Sequence, residues 1–563
     1  MSKNFSFFFG AGAELSYNMP NGGKFALDIF RQNKNIDYGK SILRAMIKNV
    51  KNNTDYSKWL PTNYQNSSIT IFGKTSLQNI IKDILTYNRD SVIDTMNNFN
   101  SIAKNVIRQI LSEIDKNQSK DSILKNIKTY QKEIRGLLKI YKNSINISLN
   151  KRLNDEGNFF NSFYIKILLT IYLNFFSNND ISSTLKLNFK TILSGLFELY
   201  VGALGEKTLK ELNNSLFENR QQNSQIDFLD NFTDIFSINY EATGLSALQF
   251  LIDTKSKELD DSNSDINNII FRFAYLCLEK VFCSLLNYRT LIDSHWNFLY
   301  SPSSDWGKFT KITTFLYTVY NYITQNVQDN NDYGYYNDIA LHFSKYGNVT
   351  SLATSNYTNI SDIKLKSTCK DINKTNIPVI HINGYTETWY DPYLNKLVPP
   401  PNINSRAKNE YTITQTNSNE DHITVPLLFT QSGTKPLTAI TKSKEYVELY
   451  DNWMKSDYLI VIGFSFSSDD EHINCLMREF LTSDRSENNN SHKLICVDIM
   501  PKTQNTKEEY CESIANKLHI NYDKVKDYID VIFVNPEQFN IRKKKQDDII
   551  PDWLQQLRNK TQQ

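Results

Sequence analysis

The sequence predicts an α/β protein with a doubly wound, mostly parallel sheet interrupted by a large all-helical insertion. Three observations predict it. Near the N-terminus a short apolar run, Asn4 to Phe9, breaks into a glycine-rich turn and then a helical pattern. From about residue 346, short β-like runs alternate with helical stretches, the order expected of βαβ units. Between these regions lie about 300 residues whose apolar spacing is helical almost throughout.

The elements follow in chain order. Asn4–Phe9 reads as a buried strand. Gly10-Ala11-Gly12-Ala13-Glu14 reads as a tight turn, and Met19-Pro20-Asn21-Gly22-Gly23 leads into a helix carried by Phe25, Ala26, Ile29 and Phe30. In the helical block, Leu77, Ile80, Ile81 and Ile84 keep a helical period. So do Tyr164, Ile167, Leu168 and Ile171, and again Leu193, Leu196, Phe197 and Tyr200. Further strands are predicted at Val349–Thr354, Ile377–Ile382, Tyr458–Ile462, Lys493–Val497 and Asp530–Val534, with helices at Lys442–Met454 and Asp470–Leu481 among them. The first strand has no sheet of its own and is assigned to the C-terminal one. The expected organisation is therefore a discontinuous Rossmann-like domain from residues 1–35 and 346–545. Residues 36–345 form a helical domain, and residues 546–563 a C-terminal helix.

Bulk properties narrow the function classes. The chain has 563 residues, enough for two or three domains, and 33 Phe with 32 Tyr supply large cores. A net charge of +2 gives no basis for a dedicated nucleic-acid binder or a membrane-surface protein. The cysteines are Cys277, Cys283, Cys369, Cys475, Cys496 and Cys511, with no C-x-x-C pair. That argues for reduced thiols, a cytoplasmic protein and no zinc site. No signal peptide is evident at the N-terminus. The apolar stretch Ile269–Leu286 carries Arg272, Glu279 and Lys280, so a buried helix is expected there and not a membrane span.

In doubly wound sheets ligands bind beyond the carboxyl ends of the strands. Five predicted strands end in small or polar residues: Gly10–Glu14, then Ser355-Asn356-Tyr357-Thr358, His381-Ile382-Asn383-Gly384, Gly463-Phe464-Ser465-Phe466-Ser467, and Asp498. Glycines let a backbone approach a phosphate, and a following helix N-terminus favours the negative charge. Each residue also has a plainer role. Asn356 could cap a turn, His381 could be a bonded core histidine, and Ser465 and Ser467 could cap the next helix. Asp498 could be a cap or could accept from a ribose hydroxyl. Asp469, Asp470, Glu471 and His472 read as the acidic first turn of a helix, not as metal ligands.

Taken in order, Gly10-Ala11-Gly12 with Met19-Pro20-Asn21, Thr354-Ser355-Asn356-Tyr357, His381-x-Asn383-Gly384 and Val461-Ile462-Gly463-Phe464-Ser465 resemble the motif set of sirtuins. The resemblance is closest to the sirtuin-like NADases of bacterial antiphage, abortive-infection defence, and covers residues 1–35 and 346–500. It implies a sirtuin-like fold and hydrolysis of NAD to nicotinamide and ADP-ribose. The cofactor-binding set would be Gly10, Ala11, Gly12, Glu14, Pro20, Asn21, Asn383, Gly463, Ser465 and Asp498. Asn356 would hold the nicotinamide ribose and a water, and His381 would act as base. It also implies a homo-oligomer, with a phage protein or a defence-system protein as trigger. The chain departs from that family at four places. It lacks the four-cysteine zinc module of the deacylases, so deacylation is not expected. Asn21 and Gly23 stand where an acid and a base are usual, and Thr358 stands where an Asp is usual. Asn383 stands where His precedes the glycine. The alternative is an NAD or ADP-ribose sensor, or a subunit of a defence complex, without turnover.

Overall fold

The computed structural model describes residues 3–17, 19–20, 22–31, 33–72, 78–79, 81–82, 84–85, 88–117, 159, 162–177, 182–204, 244–254, 266–286, 296–326, 333–343, 347–368, 377–407, 410–414, 422–428, 439–483, 492–499, 506–534 and 550–562. Six parallel strands form the central sheet: β1 (Asn4–Phe9), β2 (Asn348–Thr354), β3 (Val379–His381), β9 (Tyr458–Ile462), β10 (Lys493–Asp498) and β11 (Ile529–Phe533). Their spatial order is β3-β2-β1-β9-β10-β11. Numbered along the chain, this is the doubly wound order 3-2-1-4-5-6, whose switch point lies between β1 and β9. The discontinuous assignment of β1 holds, with β2 on one side and β9 on the other.

Register carries the functional consequence. His381, Thr354, Phe9, Ile462, Val497 and Ile532 form one row across the sheet. The residues that follow them therefore emerge along one rim. The strands are buried because both faces are covered, the usual state of parallel sheets. Phe8, Ala353, Val461 and Cys496 face the helices Ile440–Met454, Glu471–Thr482 and Lys507–Lys517. Phe7, Phe9, Leu352, Ile460 and Val497 face Tyr335–His342, Ile360–Thr368 and the C-terminal helix Asp552–Gln562.

The chain divides into two units. The first comprises Met1–Gly22, Asn33–Phe72 and Tyr288–Gln563, and the second Gly23–Gln32 and Gly73–Asn287. This differs from the expected 36–345 block, because its two ends belong with the sheet. The helix Asn33–Asn49 packs on Trp306–Asn326 at close range. A Cβ at Gly39 would lie 2.4 Å from the Thr314 carbonyl oxygen. The first unit also holds an antiparallel sheet of β4 (Trp389–Asp391), β5 (Lys396–Val398) and β8 (Val425–Pro426), and a hairpin of β6 (Asn402–Ala407) and β7 (Glu410–Thr414). These strands are too short to show a period of their own in the sequence.

The second unit is helical among its described residues. Leu193, Leu196, Phe197 and Tyr200 are buried on Ser183–Leu204, as their spacing predicts. Leu77 and Ile80 of the earlier pattern lie outside the described residues. Ile266–Leu285 carries Glu279, which Arg31 meets at 3.0 Å and Lys24 at 3.4 Å. Burial works against the Glu279 charge, and Arg31 and Lys24 more than offset it, holding the carboxyl below its usual value. No helix among the described residues is long and apolar enough to cross a membrane.

Removing Arg31 leaves the buried Glu279 charge with only Lys24 opposite it. Arg31→Met should cost about 3–5 kcal/mol, read as a lowered denaturation midpoint of the helical unit. Glu279→Gln with Arg31→Met should recover most of that loss, as a double-mutant cycle would measure.

Candidate functional site

At the switch point, two loops interlock. The Gly10 N–H donates to the Ile462 carbonyl at 2.9 Å, and the Gly12 N–H to the Gly463 carbonyl at 2.8 Å. A Cβ on Gly10 would lie 2.5 Å from the Gly463 oxygen, and one on Gly12 2.7 Å from the Gly463 Cα. Gly463 adopts φ +62, and its own Cβ would lie 2.4 Å from the Ala13 nitrogen. The glycines thus serve contact between the β1 and β9 loops. The expectation that Gly10 and Gly12 lend their amides to a phosphate meets a different arrangement, with both amides turned to the neighbouring loop. Beyond Gly463, Phe466 is buried with φ +52, a strained conformation for a large side chain.

Ala11–Tyr17 continues as a 3-10 helix, which places Ala11 on the surface and turns Glu14 inward. Glu14 is 3% exposed. Its Oε1 accepts from the Thr358 hydroxyl at 2.8 Å and the Tyr336 hydroxyl at 3.1 Å. Burial pushes its carboxyl up to about 7, against the three neighbouring hydrogen-bonding side chains Thr358, Tyr336 and Asn356. Asn356 Nδ2 donates to the Gly10 carbonyl at 3.0 Å and approaches Tyr336 Oη at 3.4 Å. The backbone N–H of Asn356 is held by the Thr354 hydroxyl at 3.0 Å. Glu14 and Asn356, two predicted residues, therefore share one cluster. Tyr336, on the helix Tyr335–His342, joins them. It lay inside the predicted helical domain and carried no sequence signal of its own.

His381 ends β3 and is buried. Its Nε2 meets Asp362 Oδ2 at 2.5 Å, and its Nδ1 faces the Asn356 carbonyl at 3.4 Å. The ring stacks on Tyr385 at 3.9 Å, and buried Lys442 donates to the His381 carbonyl at 2.6 Å. Both ring nitrogens are turned to acceptors, the arrangement of an imidazole that orients its neighbours. Asn383 is also buried, and its Oδ1 pairs with His472 Nε2 at 3.0 Å. His472 stands in the first turn of Glu471–Thr482, where the sequence reading saw only an acidic helix start. The pair ties the loop after β3 to the segment after β9, with β1 and β2 between them in the sheet.

The remaining predicted residues lie around this rim. Asp498 ends β10; its Oδ1 accepts from the Ile499 N–H at 2.7 Å and its Oδ2 from the Tyr510 hydroxyl at 2.5 Å. Burial raises its pKa. These bonds make it an anchor for the helix Lys507–Lys517. Ser465 is exposed, and its carbonyl accepts from Lys517 Nζ at 3.0 Å. The expected capping by Ser465 or Ser467 is replaced. A 3-10 turn, Ser468–Asp470, intervenes and makes Asp470 the cap residue of the helix. Ser467 instead offers its carbonyl, which accepts from Asn474 Nδ2 at 2.9 Å. Pro20 is half-buried, and Asn21 lies outside the described residues. No group of three or more His, Cys, Asp or Glu among the described residues is arranged to hold a metal ion.

Comparison with protein-family models, curated proteins and solved structures finds no match to this chain. The functional reading therefore stands on the rim itself.

Glu14 makes a pH-dependent prediction. Its folded value is raised above 4.5 to about 7. Its favourable contribution is present below about pH 4.5 and is lost as pH rises through about 7. At about 1.4 kcal/mol for each pH unit, the ionised carboxyl costs up to about 3 kcal/mol at pH 8. Glu14→Gln keeps an acceptor oxygen and removes that cost. The variant should melt above wild type at pH 8 and close to it at pH 5, as scanning calorimetry would read. Gly463→Ala should instead lower the melting temperature at every pH, through about 1–2 kcal/mol of left-handed backbone penalty plus the clash with Ala13.

Proposed function

We propose that the chain binds NAD at the carboxyl ends of β1, β2 and β9 and hydrolyses it to nicotinamide and ADP-ribose. The observation that supports this reading best is the Asn356–Glu14–Tyr336 cluster beside the switch point of a sheet in the order 3-2-1-4-5-6. The ordered sirtuin-like motifs in the same loops support it from the sequence side. The bond between the nicotinamide ring and its ribose is already activated, because the leaving group departs as a neutral molecule. An enzyme need only hold the ribose, stabilise positive charge developing on it and place a water. Asn356 is suited to the ribose and water. Its amide nitrogen donates to the Gly10 carbonyl, and an amide oxygen is an acceptor suited to a ribose hydroxyl or a water. Ser465 and the exposed turn at Ala11 would meet the more polar parts of the dinucleotide.

On this reading the protein is an antiphage effector that depletes NAD in an infected cell. The helical unit would serve self-assembly or recognition of a phage protein or a defence-system partner. A second reading, an NAD or ADP-ribose sensor without turnover, is favoured by two observations. Asn383 cannot take a proton near neutrality, and both nitrogens of His381 face acceptors.

The experiment is chromatography of NAD incubated with wild type and with Asn356→Ala, beside calorimetric binding. Nicotinamide and ADP-ribose from wild type alone support hydrolysis at this rim, with a loss of about 100-fold or more in the variant. Binding without product, persisting after exposure to phage lysate, supports the sensor. Neither binding nor product overturns both readings.

A further inference from the structure

Glu14 is a buried carboxyl whose hydrogen-bonding neighbours among the described residues, Thr358, Tyr336 and Asn356, are all neutral. Among those residues no Lys, Arg or His is ion-paired with it, and its pKa is set by burial and neutral hydrogen bonds alone. Burying a carboxyl without a cation opposes folding once it ionises. A purely structural role would be met better by Gln.

The direction of the hydrogen bonds shows what the acid adds. Tyr336 has one hydroxyl proton, and it goes to Glu14. Its oxygen is then left to accept from Asn356 Nδ2, 3.4 Å away. The second acceptor at Nδ2 is the Gly10 carbonyl, which can only accept. Both hydrogens of the Asn356 amide are thereby turned toward Tyr336 and Gly10. Its Oδ1 is the atom that neither contact uses.

We propose that Glu14 is a positioning residue: its carboxylate accepts the hydrogen bond of the Tyr336 hydroxyl, this holds the Asn356 amide with Oδ1 toward the ligand, and ligand binding at the rim strengthens as Glu14 ionises. The proposal rests on the reading that Asn356 meets the ribose of NAD. A charged acceptor makes a shorter and stronger bond than a neutral one, so the hold on Asn356 is firmest with Glu14 ionised. The titratable groups facing this cluster are Tyr17 on the same turn and Tyr336 and Asp338 on the helix Tyr335–His342, with His381 behind Asn356. Burial raises both tyrosines well above their ordinary value, so neither titrates near neutrality. Glu14, pushed up to about 7, does.

The test follows the side-chain amide resonance of Asn356 by NMR between about pH 5.5 and 8.5, in wild type, Glu14→Gln, Glu14→Asp and Tyr336→Phe, with calorimetric NAD affinity alongside. Wild type should show a midpoint near 7 and about tenfold tighter NAD binding at pH 8 than at pH 6. Glu14→Gln and Tyr336→Phe should lose both responses, and Glu14→Asp should recover part. A pH response of Asn356 unchanged in Glu14→Gln overturns the proposal. So does a Glu14→Gln protein that binds as wild type at pH 8, or one that melts below wild type there. If Asn356 responds as expected in wild type but NAD gives no heat at any pH, the NAD reading falls and the hold of Glu14 on Asn356 stands.

Discussion

The rim depends on the contact between two loops, Gly10–Gly12 after β1 and Gly463 after β9. These strands are neighbours only because the chain returns to β1 after several hundred residues. Two amide-to-carbonyl bonds and a Cα approach that excludes any side chain lock them together. The lock sets where the 3-10 helix Ala11–Tyr17 starts, and hence that Glu14 points inward. It also sets the position of the Gly10 carbonyl, against which Asn356 is oriented. Glycine here is a packing requirement first. Any ligand role of this turn is built on a backbone already committed to its neighbour.

Around that lock, side chains are paired across loops and not within them. Asp362, His381 and the Asn356 carbonyl form one line. Asn383 and His472 form another, and Glu14, Tyr336 and Thr358 a third. Each links segments that follow different strands or precede them. Such pairs brace the rim across neighbouring strands; under the proposed reading, that is what positioning a ribose needs. They also bear on His381, since the role of an imidazole depends on what its two nitrogens face.

The cost of Glu14 and the stability of the rest belong together. Apolar burial on both faces of the sheet is extensive, with Phe5, Phe7, Phe8 and Phe9 on one strand all buried. A fold with that reserve tolerates an ionisable group in an unfavourable place. Glu279 in the helical unit shows the contrasting solution, where burial is offset by Arg31 and Lys24. The chain can pair a buried acid with cations, and among the described residues it does not do so at Glu14.

The sequence by itself determined the six sheet strands and the two helices that flank β9, but not Ile360–Thr368 or Lys507–Lys517. It also determined that five strand ends carry small or polar residues. These are local properties: apolar run length, period, and where glycine interrupts it. β1 and β9 were read with their observed bounds, and β10 to within a residue. Only the tertiary structure decided the partners. Tyr336 lies 322 residues from Glu14, and His472 lies 89 from Asn383. Nothing near either residue announces the other. The same holds for the division of the helical region, where Asn33–Phe72 and the stretch from Tyr288 belong to the unit that holds the sheet. Hydrophobic period reports that a helix has a buried face, and it is silent on which surface that face meets.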